Sequence, residues 1–304
     1  MRPIDVTPDL SRLRVAIVNV YFYGRPGAGD RGWVLIDGGL QGSAGLIAAA
    51  AAQRFGADAR PSAIVLTHGH FDHVGALSTL ATQWDVPIFA HPLELPYLTG
   101  RSAYPPPDPT VGGGALARLS PLYPRGPWDF GQRMHALPDD GSVPGMPGWR
   151  WVFTPGHSPG HVAFFRDADR TLIAGDAFVT TKQESLVAAI TQRPEMHGPP
   201  AYFTIDWVAA RRSVELLSGL EPEIAATGHG PPMRGPTMRA ALDELARRFG
   251  GVAVPRRGRY VRSAAVTGPE GVRQVPPPVS DPVPGLVLGL ALAAVAGAVL
   301  TRRR

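Results

Sequence analysis

The 304-residue sequence contains no cysteine. Disulfides, thiolate-held zinc, iron–sulfur clusters and cysteine nucleophiles are therefore excluded. Lysine is almost as scarce: Lys182 is the only one, so nearly all of the positive charge behind the +5 net charge is arginine. The arginines are scattered and concentrate only near Arg256–Arg262 and at the C-terminus. That is not the continuous basic stripe that nucleic-acid binding needs, so no nucleic-acid partner is expected. Residues 1–20 lack a basic segment followed by an apolar one, and no signal peptide is expected there. Repeats at solenoid periods are also missing.

Hydrophobic residues make up 44% and charged residues 18% of the chain, enough for a packed core and against disorder. The apolar pattern predicts strands at Leu13–Tyr23, Gly32–Asp37, Ala63–Leu66, Val86–Ala90, Trp149–Phe153, Val162–Arg166, Thr171–Ala174 and Glu223–Ala226. Helices are expected at Ser43–Arg54, Val74–Gln83, Asp206–Leu217 and Thr237–Phe249. Tyr97–Trp128 is a long insertion rich in Pro and Gly, placed to act as a lid. Strands alternating with helices argue for a layered α/β fold.

Residues 1–263 read as one catalytic domain, followed by a Pro-rich linker at 264–282. Residues 283–301 read as a transmembrane anchor and 302–304 as a basic tail. Val283–Leu300 carries no charge. As a helix it would extend about 27 Å, close to the ~30 Å of a hydrocarbon core. Gly285, Gly289, Ala293 and Gly297 recur every four residues, a small-residue stripe through which two such helices would pair in a homodimer. A membrane-anchored enzyme facing the cytoplasm is the expectation.

The chemistry concentrates in Thr67-His68-Gly69-His70-Phe71-Asp72-His73. Three imidazoles and a carboxylate this close converge on one point only if the chain turns tightly, which Gly69 permits. Burying them together without a metal would carry a heavy desolvation cost, and coordination offsets it. Three more polar residues each follow a predicted strand and a glycine: His157 in Thr154-Pro155-Gly156-His157, Asp176 in Ala174-Gly175-Asp176, and His229 in Ala226-Thr227-Gly228-His229. Open α/β sheets build sites from strand ends in this way.

This ordered set, running from Leu13 to Pro232, resembles the metallo-β-lactamase superfamily. The resemblance implies a four-layer αββα sandwich with its site at one edge of the sheets. It also implies that His68, His70 and His157 hold one metal, that Asp72, His73 and His229 hold another, and that Asp176 bridges them. Asp37, in Leu35-Ile36-Asp37-Gly38-Gly39, matches the family's early aspartate, expected behind the ligands to fix an imidazole. His161 is expected in a similar supporting place, and His91, His135 and His197 as structural residues.

Imidazole and carboxylate donors suit zinc first, with iron or manganese as alternatives. Two divalent ions about 3.5–4 Å apart would hold a bridging water as hydroxide for attack on a carbonyl, with Asp72 orienting or receiving the proton. An aspartate at the bridging position matches glyoxalase-II-like thioesterases and lactonases. Hydrolysis of an ester, thioester or lactone in a small metabolite is therefore the leading expectation. A mononuclear iron enzyme resembling persulfide dioxygenases is the alternative from another class, and a non-catalytic binding module is a third. Lys182 is a candidate to hold an anionic substrate group, and Tyr202 to donate to a developing oxyanion.

Overall fold

The strands fall into two facing sheets in a computed structural model that describes residues 2–280. Seven make the first sheet, neighbours in chain order: β1 (Ile4–Thr7), β2 (Leu10–Val15), β3 (Val18–Tyr23), β4 (Val34–Ile36), β5 (Ala63–Val65), β6 (Ile88–Ala90) and β7 (Met134–Ala136). β1 to β4 pair antiparallel and β4 to β7 parallel. The second sheet holds β8 (Trp149–Phe153), β9 (Val162–Arg166), β10 (Thr171–Gly175), β11 (Ile224–Thr227) and β12 (Met233–Arg234), also neighbours in chain order. Its one parallel pair is β10 with β11.

Residues of alternating face build the layers. Leu10, Tyr21, Ile36 and Val65 of the first sheet meet Trp149, Val162, Phe164 and Ile173 of the second in one buried cluster. On the outer face of the first sheet, Leu13, Val20, Phe22, Leu35 and Ile64 pack against α1 (Ala44–Phe55) and, beyond the short α2 (Phe71–Val74), α3 (Leu77–Trp84). Past the insertion's α4 (Leu95–Leu98) and α5 (Ala115–Leu119), and α6 (Leu186–Thr191), the outer face of the second sheet is covered. There Ala163, Phe165 and Leu172 pack against Trp207 and Val214 of α7 (Trp207–Gly219) and Leu242 and Phe249 of α8 (Gly235–Val252). The order helix–sheet–sheet–helix is the expected αββα sandwich. Strands buried on both faces read as unbroken apolar runs such as Val162-Ala163-Phe164-Phe165. Each fully buried large side chain contributes roughly 1.5–3 kcal/mol.

Three expectations need correction or placing. Leu13–Tyr23 is not one strand: β2 and β3 form a hairpin that turns at Ala16 and Ile17, with Ala16 at φ 54°. Neither Ala16 nor Ile17 is a Gly or Asn of the kind that marks a two-residue turn, and the one Asn of the run, Asn19, lies within β3. Within the expected linker, β13 (Val266–Gly268) and β14 (Gly271–Gln274) pair antiparallel, and Val272 N donates to Ser102 Oγ of the insertion at 3.2 Å. Among the described residues no helix is long and apolar enough to cross a membrane. The anchor expected at 283–301, its small-residue stripe and the basic tail lie outside the described residues.

Candidate metal centre

Five strand ends deliver polar side chains to one edge of the sandwich. β5 runs into Thr67, His68, Gly69 and His70, and α2 then carries Asp72 and His73. His157 follows β8, Asp176 follows β10, His229 follows β11, and Asp37 follows β4. Because β10 and β11 are parallel, Asp176 and His229 leave the same edge, and Gly228 N donates to Gly175 O at 2.8 Å. A side chain on Gly228 would strike Asp176 Oδ1 and come within 2.8 Å of His73 Cε1. Gly175 combines a left-handed φ of 52° with His161 Nε2 only 2.6 Å from where a Cβ would stand.

All seven predicted ligand residues meet, and none is more than 5% exposed. Their ligand atoms form three overlapping groups, each within 4.8 Å: His68, His70 and His157; His68, His73 and Asp176; and Asp72, His73 and His229. Asp176 Oδ2 lies 3.1 Å from His229 Nε2, 3.4 Å from His157 Nε2 and 3.6 Å from His73 Nε2. Asp72 Oδ2 lies 3.4 Å from His229 Nε2, and His70 Nδ1 lies 3.0 Å from His157 Nε2.

Hydrogen bonds behind the ligands set which ring nitrogen faces inward. Asp37 Oδ1 accepts from Thr67 N at 2.8 Å, and Asp37 Oδ2 accepts from Thr67 Oγ1 at 2.8 Å. Asp37 Oδ2 also accepts from His73 Nδ1 at 2.8 Å, which leaves His73 Nε2 as the inward atom. Since the Thr67 hydroxyl donates to Asp37, it accepts from His68 Nδ1 at 3.1 Å, and His68 Nε2 is left free. His229 Nδ1 donates to Ile17 O at 2.7 Å, so the tight β2–β3 turn also orients a ligand. His161 stands behind Asp176: its Nε2 accepts from Asp176 N at 2.9 Å, and its Nδ1 donates to Thr154 Oγ1 at 2.8 Å.

The electrostatics divide the centre in two. Burial, then neighbouring imidazoles, hold His68 and His157 well below the usual histidine range. Burial takes His70 and His161 down to about 3. These rings are neutral, the form that ligates. Burial would also lower His73, but Asp176, Asp37 and Asp72 outweigh it and hold His73 well above its ordinary value. His229 is raised against burial, chiefly by Asp176. Asp176 in turn is held well below the carboxylate range, since His229 and His73 overcome the burial that would raise it. Burial raises Asp72.

A divalent cation fits this arrangement. His68 Nε2, His73 Nε2 and Asp176 Oδ1 are buried and have no hydrogen-bond partner among the described residues. Each such atom costs about 1–3 kcal/mol, and the three residues form one of the groups whose ligand atoms lie within 4.8 Å of one another. The donors are all imidazole or carboxylate atoms, the set that binds zinc, iron or manganese.

The two substrate-contact expectations fare differently. Tyr202 is buried beside the centre: its ring packs 5.9 Å from Tyr123 and 5.1 Å from Phe203, which stacks on His70 at 4.5 Å. Burial first, and then Asp72, push the Tyr202 hydroxyl well up. Lys182 is half-buried, and its ammonium makes no hydrogen bond or ion pair among the described residues. The insertion does lie on the site, with Tyr123 stacked on Phe71 at 5.1 Å. His91 stacks on Phe153 at 4.5 Å, His135 packs near Phe89, and His197 bridges to Val179; none of the three belongs to the groups of ligand atoms. Sequence reasoning missed Glu94 and Tyr104. The one available signal was a lone acid in the otherwise uncharged run Pro92–Leu98.

A sequence model of the family described as "Metallo-beta-lactamase superfamily" matches residues 13–229. The chain belongs to the metallo-beta-lactamase superfamily. It is 49% identical over 240 residues to the "Probable metallo-hydrolase YflN" of Bacillus subtilis, covering 79% of this chain and 90% of that protein. It is 33% identical over 170 residues to "Probable metallo-hydrolase YybB" of the same organism, covering 56% of this chain and 64% of the other. Two solved structures share the fold at low identity. One is an archaeal metallo-beta-lactamase superfamily protein from Sulfolobus tokodaii, with TM-score 0.53, 16% identity, and coverage of 83% of this chain and 90% of that one. The other is a beta-lactamase domain protein from Burkholderia ambifaria, with TM-score 0.54, 20% identity, and coverage of 81% and 76%.

Proposed function

We propose that this superfamily member is a metal-dependent hydrolase that cleaves an ester, thioester or lactone bond in a small, anionic metabolite. One observation carries the reading: seven buried ligand groups converge, and three of their atoms have no hydrogen-bond partner among the described residues. The description of the 49%-identical relative as a probable metallo-hydrolase supports it. In this reading His68, His70 and His157 hold one divalent ion, and Asp72, His73 and His229 hold a second. Asp176, whose Oδ2 lies near histidines of both sets, joins them. Zinc suits these donors first, and iron or manganese fit the same set.

When bound, the ions supply a water acidified toward neutral pH and a Lewis acid for the substrate carbonyl. The chain supplies the rest. Asp72, raised by burial, is suited to orient the water and take up its proton. Asp37, through His73, and His161, through the Asp176 backbone, keep ligands in register. The Tyr202 hydroxyl is assigned to the carbonyl oxygen and Lys182 to a substrate carboxylate or phosphate. The aromatic wall of Phe71, Tyr123 and Phe203 keeps water from the reacting bond.

Metal analysis of the purified protein, paired with a screen of thioesters, lactones and persulfides under air and argon, tests the reading. Chelation should abolish hydrolysis, and added zinc, manganese or iron should restore it. Full turnover by protein without any ion would sink it. One iron per chain with oxygen uptake on a persulfide would replace hydrolysis with the oxidative alternative.

A further inference from the structure

Glu94 is not among the seven ligand groups, yet it touches both segments that carry the three-histidine set. It precedes α4 and is fully buried. Its Oε1 accepts from Ser158 Oγ at 2.7 Å and from Gly160 N at 2.7 Å. Its Oε2 accepts from Gly69 N at 2.9 Å and from the Tyr104 hydroxyl. Four donors and no acceptor surround the group, which suits a carboxylate anion.

The surrounding shape is fitted to this contact. A side chain at Gly160 would come within 2.7 Å of Glu94 N and 2.8 Å of its Cγ, and one at Gly69 would strike the Tyr104 hydroxyl. Tyr104 sets its ring 4.8 Å from His70 at a steep angle, and Trp128 Nε1 donates to Gly69 O at 3.0 Å. The Gly69 residue, between His68 and His70, is thus held at its N–H by Glu94 and at its carbonyl by Trp128.

We infer that Glu94 is a positioning residue that clamps the His68–His70 loop to the His157–Gly160 loop and thereby sets the affinity of the three-histidine metal position. This rests on the reading that those histidines hold an ion. The carboxylate has two acceptor oxygens, one for each loop. Its negative charge also favours a cation at the nearby imidazoles. In Glu94→Gln one oxygen becomes an amide NH₂, which must face either Gly69 N or Gly160 N. A hydroxyl can rotate away from it, but a backbone N–H cannot, so one loop is released.

The test is titration of metal-free full-length protein with zinc or cobalt against a competing chelator. Wild type should take up two ions. Glu94→Gln should keep one at the wild-type affinity and bind the other ~10–100-fold more weakly, as removal of groups that orient ligands commonly does. The cobalt absorption spectrum should lose the contribution of one ion. Tyr104→Phe and Ser158→Ala each remove a single hydroxyl donor; both should weaken the same ion several-fold, and they carry the test if Glu94→Gln fails to fold. Two ions bound with unchanged affinity in the folded variants would overturn the inference. A wild-type protein that binds no ion would instead overturn the metal reading, and this inference with it.

Discussion

Asp37 Oδ2 accepts a hydrogen bond from His73 Nδ1 at 2.8 Å, although Asp37 stands after β4 and His73 on α2. The same oxygen takes the Thr67 hydroxyl, and its twin takes Thr67 N. Both oxygens are committed to donors, so an amide cannot replace the carboxylate without setting an NH₂ against one. Asp37→Asn should therefore free His73 to turn and weaken metal binding ~10–100-fold. Chelator competition measures this directly. An unchanged affinity would show that His73 needs no such support.

Gly228 makes a sharper prediction, because only space is at issue there. A methyl group would overlap Asp176 Oδ1 and crowd His73 Cε1. Gly228→Ala should lose at least one ion per chain and most of the hydrolytic activity. Overpacking of this kind also costs about 1–3 kcal/mol of stability, visible as a lower thermal midpoint. A variant that retains two ions at wild-type affinity would contradict the packing described.

Metal binding should release protons, and mainly from one side of the centre. In the metal-free protein His73 and His229 have raised pKa values, whereas His68 and His157 are lowered and His70 lies at about 3. A raised group keeps its proton as pH climbs past the ordinary imidazole value, so a cation must displace it. Affinity at the Asp72–His73–His229 position should accordingly rise with pH from about 6.5 upward. The three-histidine position should vary little there, being neutral already. Calorimetry in buffers of different ionisation enthalpy counts the protons, and a count of zero at pH 7 would refute the division.

Two substitutions separate the roles assigned to the substrate contacts. Tyr202→Phe keeps the packing against Tyr123 and Phe203 and removes only the hydroxyl. If that hydroxyl donates to the carbonyl oxygen, kcat should fall by ~10²-fold with KM little changed. An unaltered kcat would leave Tyr202 as core packing. Lys182→Met should instead raise KM for anionic substrates and leave neutral ones alone, and equal effects on both would remove it from the site.

What the sequence by itself determined was chemistry and order. His68, His70, Asp72, His73, His157, Asp176 and His229 were legible because each follows an apolar run, and the runs alternate as a layered fold requires. Periodicity reports which face of a segment is buried, so strands such as Trp149–Phe153 and Val162–Arg166 were bounded correctly. Tertiary structure alone decided which distant atoms share a proton or a space. The Ala16–Ile17 turn carries no turn residue, yet its carbonyl holds His229; Glu94 lies in an ordinary apolar run, yet it ties two loops together. Hydrogen bonds between groups 25, 66 or 212 positions apart leave no period in a sequence, because nothing local depends on them. They arise only when packing brings five strand ends to one edge.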